Sequence, residues 1–113
     1  MTSLALRPLR RLLFACIAVV VVSQAAPAQE SGALVEEGRR AFVRNGCYGC
    51  HTVDGMGTPV ARDLTHVGAK YNAPYIARWL RDPSHVRPST HMPAIELTDA
   101  DIEALAAFLA ARR

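Results

Sequence analysis

Large apolar residues are in short supply beyond residue 28. Residues 29–113 hold 38 hydrophobic positions, and 13 of them are alanine, which leaves 25 for a core. That describes one small domain and excludes two. A chain this short has little core for its surface and usually needs a disulfide, a metal or a large cofactor to hold it. An excess of one charge sign is also missing there. Arg7, Arg10 and Arg11 account for the whole net charge of +3, since 10 basic residues then face 10 acidic ones. Nucleic acid is excluded as a partner on that ground. No alternating run is long enough for a strand, and no segment repeats. No nucleophile–base pair, paired carboxylates or phosphate loop supports a hydrolase or a transferase.

A long hydrophobic run is absent too. Leu12 to Val22 spans 11 residues, and a bilayer needs about 20. Basic residues, a short apolar run and then small residues describe a secretory signal peptide over 1–28. Ala26-Pro27-Ala28 is the expected cleavage site, with Ser23-Gln24-Ala25 as second choice, so the mature domain is 29–113. The rival reading is an uncleaved anchor in which Ser23 to Ala28 extend the span. Arg10-Arg11 is a twin arginine in weak flanking sequence. Cys16 reads as an ordinary signal-peptide residue, because Phe14 is bulky for a lipidation site and the apolar run continues after the cysteine. The product is exported, to the periplasm, where two spare thiols would pair or be captured.

Helical spacing places Leu34, Gly38, Ala41 and Phe42 on one face and predicts a helix over Ala33 to Arg44, ended by Asn45-Gly46. Thr52 to Gly68 reads as loop. Pro74 suits the first turn of a second helix, with Asn72 or Ala73 as cap. That helix carries Tyr75, Ile76, Trp79 and Leu80 and stops before Pro83. Pro83 to Pro93 reads as extended or turning chain. Thr98-Asp99-Ala100-Asp101 resembles a capping box, with Asp in place of Glu. Ile102, Leu105, Ala106, Phe108 and Leu109 form the inner face of a last helix. The expected class is all-α, with three main helices and long loops. Loops of that length in so small a domain need something to pack on.

Residues 47–51 read Cys47-Tyr48-Gly49-Cys50-His51. Two cysteines three apart can each add across a vinyl group of one haem, and the histidine after them falls under the ring to ligate iron. This spacing is that of c-type haem attachment. A Cys47–Cys50 disulfide or redox pair is the first alternative, but no βαβ pattern accompanies it. A zinc site would need His66, His85 or His91, without a second cysteine pair. Haem iron usually takes a second axial partner, and Met56, His66, His85, His91 and Met92 are the candidates. Met56 is only five residues past His51. Met92 is 41 residues past it, in the stiff run Thr90-His91-Met92-Pro93, where the proline restricts the backbone. Methionine is often core filler, but this loop is polar. Met92 is therefore the expected ligand, His91 its nearest rival, and His66 and His85 read as solvent-facing.

With these residues in place, the chain resembles a class I monohaem cytochrome c over nearly all of residues 33–111. The likeness is carried by Gly38-Arg39-Arg40-Ala41-Phe42, the motif at 47–51, Asp63-Leu64-Thr65-His66-Val67-Gly68, Trp79-Leu80-Arg81-Asp82-Pro83, Met92-Pro93 and Leu97-Thr98-Asp99-Ala100-Asp101-Ile102. It is most similar to the cytochrome c domains of cytochrome c oxidase second subunits, without their copper-binding domain. The resemblance implies the small class I fold around one covalent haem c, with Cys47, Cys50, His51, Met92 and Trp79 as haem-binding residues and His51 and Met92 on the iron. It implies that Gly38 lets the first helix cross the last closely, against Phe108. It also implies that Trp79 sits beside the haem edge and can donate its indole N–H to a propionate, the alternative being a plain core residue. Relatives often have Gly-Pro before Asp-Leu, with the proline carbonyl accepting the histidine N–H. Here Ala61-Arg62 stand there, so the rigid proline is absent. A backbone carbonyl can still accept that bond, which tunes the metal.

A thioether ligand favours Fe(II). With both axial positions filled there is no open site for a substrate, so the expected function is periplasmic one-electron transfer in a respiratory chain, as a free carrier or as the small haem subunit of an oxidoreductase. The chain itself is not expected to be an enzyme. Its partners would be redox proteins, a donor dehydrogenase and a terminal acceptor or oxidase, docked in small transient complexes or held as a heterodimer. Arg44, Arg62, Lys70, Arg81 and Arg87 are the cations considered for the haem edge, although for each the favoured reading is a solvated surface charge. The alternatives are a gas-binding or redox-sensing protein with a labile Met92, and a membrane-tethered domain that keeps residues 12–28.

Overall fold

The computed structural model describes residues 20–23 and 27–113. Most of residues 1–28, Cys16 included, lies outside them. Helix α1 spans Pro27–Arg44, α2 Ala73–Arg81, α3 Pro83–Val86 and α4 Asp99–Ala110. Short 3-10 turns occupy Cys47–Gly49 and Val67–Ala69. The all-α class and the three main helices agree with the sequence reading.

Helix α1 begins six residues earlier than its apolar period predicts. Pro27 suits a first helical turn, the Ser31 hydroxyl donates to the Ala28 carbonyl at 2.9 Å, and Ala, Gln and Glu are good helix formers. The packed part of the helix supplies the costly nucleus, and these exposed turns extend it. Glu36–Arg39 and Glu37–Arg40 pairs brace its outer face. Gly46 ends it with φ at 72°, and Asn45 Nδ2 donates back to the Ala41 carbonyl at 2.9 Å.

Helices α1 and α4 cross at Gly38. A Cβ there would collide with the Ala104 carbonyl and with Phe108 Cβ, so this crossing needs glycine, as the resemblance implies. Phe42 and Leu105, each 1% exposed, sit at the centre of the core with Ala41, Ile76, Leu80, Ile102 and Leu109. Each of the two stabilises the fold by about 1.5–3 kcal/mol relative to an exposed position. Phe42 meets Phe108 edge-on at 5.7 Å and Tyr48 at 4.8 Å, so the helix crossing reaches directly to the cysteine motif.

The caps differ in one respect from the sequence reading. Asn72 caps α2 by accepting the Tyr75 N–H, and Thr98 caps α4 by accepting the Asp101 N–H. Asp101 does not complete a reciprocal box. Its carboxylate accepts from Arg44 at 2.7 Å and from Asn45 at 3.2 Å, so it ties α4 to the end of α1.

Two segments read as irregular carry some order. Thr52–Val53 pairs antiparallel with Met56–Gly57. Asp54 and Gly55 turn between them with φ of 52° and 78°, and positive values at both centres suit a tight hairpin. Within the Pro83–Pro93 stretch, Asp82 accepts the His85 N–H and starts the single turn of α3.

Candidate haem site

The stretch after α1 folds back on itself to present residues 47–51. The Cys47 carbonyl accepts the N–H groups of Cys50 and His51 at 3.2 and 3.0 Å. The following loop is stitched to this turn, with Thr58 N–H donating to Tyr48, Ala61 to Cys50 and Leu64 to Thr52, at 2.7–2.9 Å. Gly57, at φ 105°, packs so closely that a Cβ would strike the His51 carbonyl and the Tyr48 ring.

These loops, with α2 and α4, enclose a cleft of about 470 Å³, within the ~300–1,000 Å³ usual for cofactor sites. Cys47, Cys50, His51, Trp79 and Met92 all line it. Its remaining wall is largely apolar, with Phe42, Leu64, Ile76 and Leu105 among its members. His91 lines it as well, whereas Met56, His66 and His85 do not. Met56 is 60% exposed in the hairpin, His66 turns to the Arg113 carbonyl, and His85 is exposed on α3.

His51 Nδ1 lies 2.7 Å from the Arg62 carbonyl. A carbonyl only accepts, so Nδ1 carries the proton and Nε2 keeps its lone pair for a metal. The bond expected from a proline carbonyl is thus made by the arginine that stands in its place. Cys47 and Cys50 are not joined in a disulfide. Burial pushes the Cys47 thiol up to about 11, the reverse of the lowered value of a reactive redox pair. Among the described residues, no three His, Cys, Asp or Glu side chains converge as a metal-binding group.

Trp79 is on the cleft as expected, but its N–H meets an acceptor that sequence reasoning did not foresee. Nε1 donates to Met92 Sδ at 3.0 Å. Tyr71 and Tyr75 continue this wall as a stacked pair 4.5 Å apart, with Lys70 over one ring and Arg78 over the other. Burial works to raise the Tyr71 phenol, but Lys70 and Arg62 outweigh it and hold the group below its ordinary value. The five cations considered for the haem edge divide. Arg62 and Arg87 line the cleft and Lys70 stands beside it. Arg44 and Arg81 are instead bound to Asp101 and Asp99 of α4.

The sequence model of the cytochrome c family matches residues 35–112. The chain belongs to the cytochrome c family. It carries covalent haem c, attached through Cys47 and Cys50, and is an electron-transfer haem domain. The donor set fits that group: two unpaired thiols, an imidazole with a free Nε2 and an apolar cleft. This cytochrome is 34% identical over 85 residues to cytochrome c oxidase subunit 2 of Alkalihalophilus pseudofirmus, covering 67% of this chain and 25% of that one. It is 31% identical over 81 residues to a subunit of the nitric oxide reductase of Cereibacter sphaeroides, covering 64% and 55% respectively. The chain therefore spans about a quarter and about half of these relatives. No solved structure matches this cytochrome significantly. Among the described residues, no helix is long and apolar enough to cross a membrane.

Proposed function

We propose that this cytochrome is a periplasmic one-electron carrier with His51 and Met92 as the axial ligands of its haem iron. The observation that carries this reading is the meeting of His51 and Met92, 41 residues apart, on the one cleft that holds both cysteines. The haem supplies a reversible Fe(III)/Fe(II) couple when bound. The chain's residues do the rest. Arg62 fixes the imidazole, the apolar wall excludes water, and a thioether ligand favours the reduced state. With His51 and Met92 both held to the iron, no open position would remain for a substrate, and one-electron transfer would be the chemistry left to the haem. The N-terminal segment directs export and is removed after Ala28.

Both relatives are named as subunits, of an oxidase and of a reductase. That favours work as a small haem subunit, with a donor dehydrogenase and a terminal acceptor as partners, over work as a free carrier. A sizing column on the native source separates the two. Ligation is tested by absorption spectra of the oxidised and reduced protein together with the pyridine test for c-type haem. The weak far-red band of Met–Fe(III) should be present, and Met92→Leu should abolish it while the haem stays attached. A covalent haem without that band in the unmodified protein removes Met92 from the iron.

A further inference from the structure

The chain has two asparagines, Asn45 and Asn72, and only Asn45 is followed by glycine. The backbone nitrogen after an asparagine can attack its side-chain carbonyl carbon. A glycine there leaves the approach open, because it has no Cβ and few forbidden conformations. Asn45 stands directly after α1 and is half-buried.

The fold holds both reacting groups elsewhere. Asn45 Nδ2 donates to the Ala41 carbonyl at 2.9 Å and to the Asp101 carboxylate at 3.2 Å. Both partners only accept, so this joint between α1 and α4 requires the nitrogen of the amide. The attacking group is engaged as well, since the Gly46 N–H donates to the Val43 carbonyl at 3.1 Å. Reaction therefore waits until the end of α1 comes away from α4, which is a local opening.

We propose that Asn45-Gly46 is a deamidation site gated by the docking of α1 on α4, and that its product cannot rebuild the joint. Gly46 N bonds to Asn45 Cγ and gives up its proton, the Cγ–Nδ2 bond breaks, and ammonia leaves. Water then opens the succinimide to aspartate or isoaspartate at position 45. Nothing is oxidised or reduced. The new carboxylate has no N–H to donate. It meets the Asp101 carboxylate and the Ala41 carbonyl where the amide served both, and like charges at such range repel. The modification thus marks, in one direction only, a chain whose first and last helices have parted.

The haem-loaded protein tests the gate. It is held at mildly alkaline pH, in buffer and in urea above its unfolding midpoint. Mass spectrometry of the peptides carrying Asn45 and Asn72 reads the change from amide to acid, with Asn72 as internal reference. In urea, Asn45 should react about tenfold faster than Asn72, because only its neighbour lacks a Cβ. In buffer, the Asn45 rate should fall at least about tenfold, because reaction waits on the opening. Equal rates at the two asparagines in urea, or an Asn45 rate unaffected by folding, would overturn the proposal.

The product is tested separately. Asn45→Ala deletes the donor, whereas Asn45→Asp also places the charge. Asn45→Asp should have the lower urea midpoint at neutral pH. Adding Asp101→Asn, which returns an amide to the pair from the other side, should recover part of the loss. If Asn45→Asp is as stable as Asn45→Ala, or the second substitution recovers nothing, the joint tolerates the product and that part of the proposal fails.

Discussion

The Arg62 carbonyl accepts from His51 Nδ1 at 2.7 Å, so a main-chain atom does the orienting and the arginine side chain is not required for it. Arg62→Ala should leave the reduced absorption spectrum and the far-red band unchanged. What should change is Tyr71. Its phenol loses one of the two cations that hold it below its ordinary value, so its titration moves up in pH. Ultraviolet difference spectra of phenolate formation read that shift, and an altered haem spectrum instead would mean that the side chain positions His51.

Gly57 controls how the hairpin meets the haem motif. Its φ of 105° is strained for any L side chain, at about 1–3 kcal/mol, and a Cβ would meet the His51 carbonyl besides. Gly57→Ala should lower the yield of covalent haem per chain several-fold when matured alongside the unmodified protein. The ratio of haem absorbance to total polypeptide measures it, and an equal yield would sink the argument.

Gly38→Ala sets two effects against each other. Alanine gains about 1 kcal/mol of helix propensity. Against that, its Cβ has to displace the Ala104 carbonyl and Phe108 Cβ, and overpacking of this kind costs about 1–3 kcal/mol. Backbone is a poor thing to displace, so the net should be destabilising. Denaturant unfolding of the haem-loaded protein should show a lower midpoint.

The parts of the site legible in sequence are those where chemistry dictates residue type and spacing. Cys47, Cys50 and His51 are readable because covalent attachment needs them at those intervals, and Met92 because its loop is too polar for core filler. The acceptor of Trp79 is not readable, since it lies 13 residues away and is chosen by the direction α2 takes. Which of the cations reach the cleft is not readable either, for the same reason. Arg44 and Arg81 look like edge charges until helix packing brings Asp101 and Asp99 within 2.7 Å of them. The hairpin has a legible turn in Asp54-Gly55, but strands of two residues are too short to alternate. The first turns of α1 show no apolar period because every residue in them is exposed.

Asp101 links pH to the packing of α1 on α4. Its hydrogen bond from Arg44, then that from Asn45, hold its carboxyl below the ordinary 3.8. A lowered folded value means that the ionised form supports the fold above the ordinary pKa, and that this support is lost as pH falls through the folded one. Asp101→Asn should therefore cost about 1 kcal/mol at neutral pH. The gap between variant and unmodified protein should close in strong acid. Urea midpoints across that range check it, and a gap independent of pH would show that the carboxylate's charge is not the cause.

Arg62 and Arg87 line the cleft with no carboxylate partner among the described residues. Five other arginines each hold one. No acidic residue lines the cleft, and six of the ten lie on α1 and α4. A reagent approaching the haem edge should meet net positive charge. Electron transfer to a small anionic oxidant should therefore be fast at low salt and slow as ionic strength rises, since screening sets in over about 8–10 Å near physiological salt. A cationic oxidant of similar driving force should show the opposite slope. Replacing Arg62 and Arg87 together by alanine should flatten both slopes. Unchanged slopes in the double variant would mean that these guanidiniums are already neutralised at the cleft and that Lys70 or other cations steer the encounter.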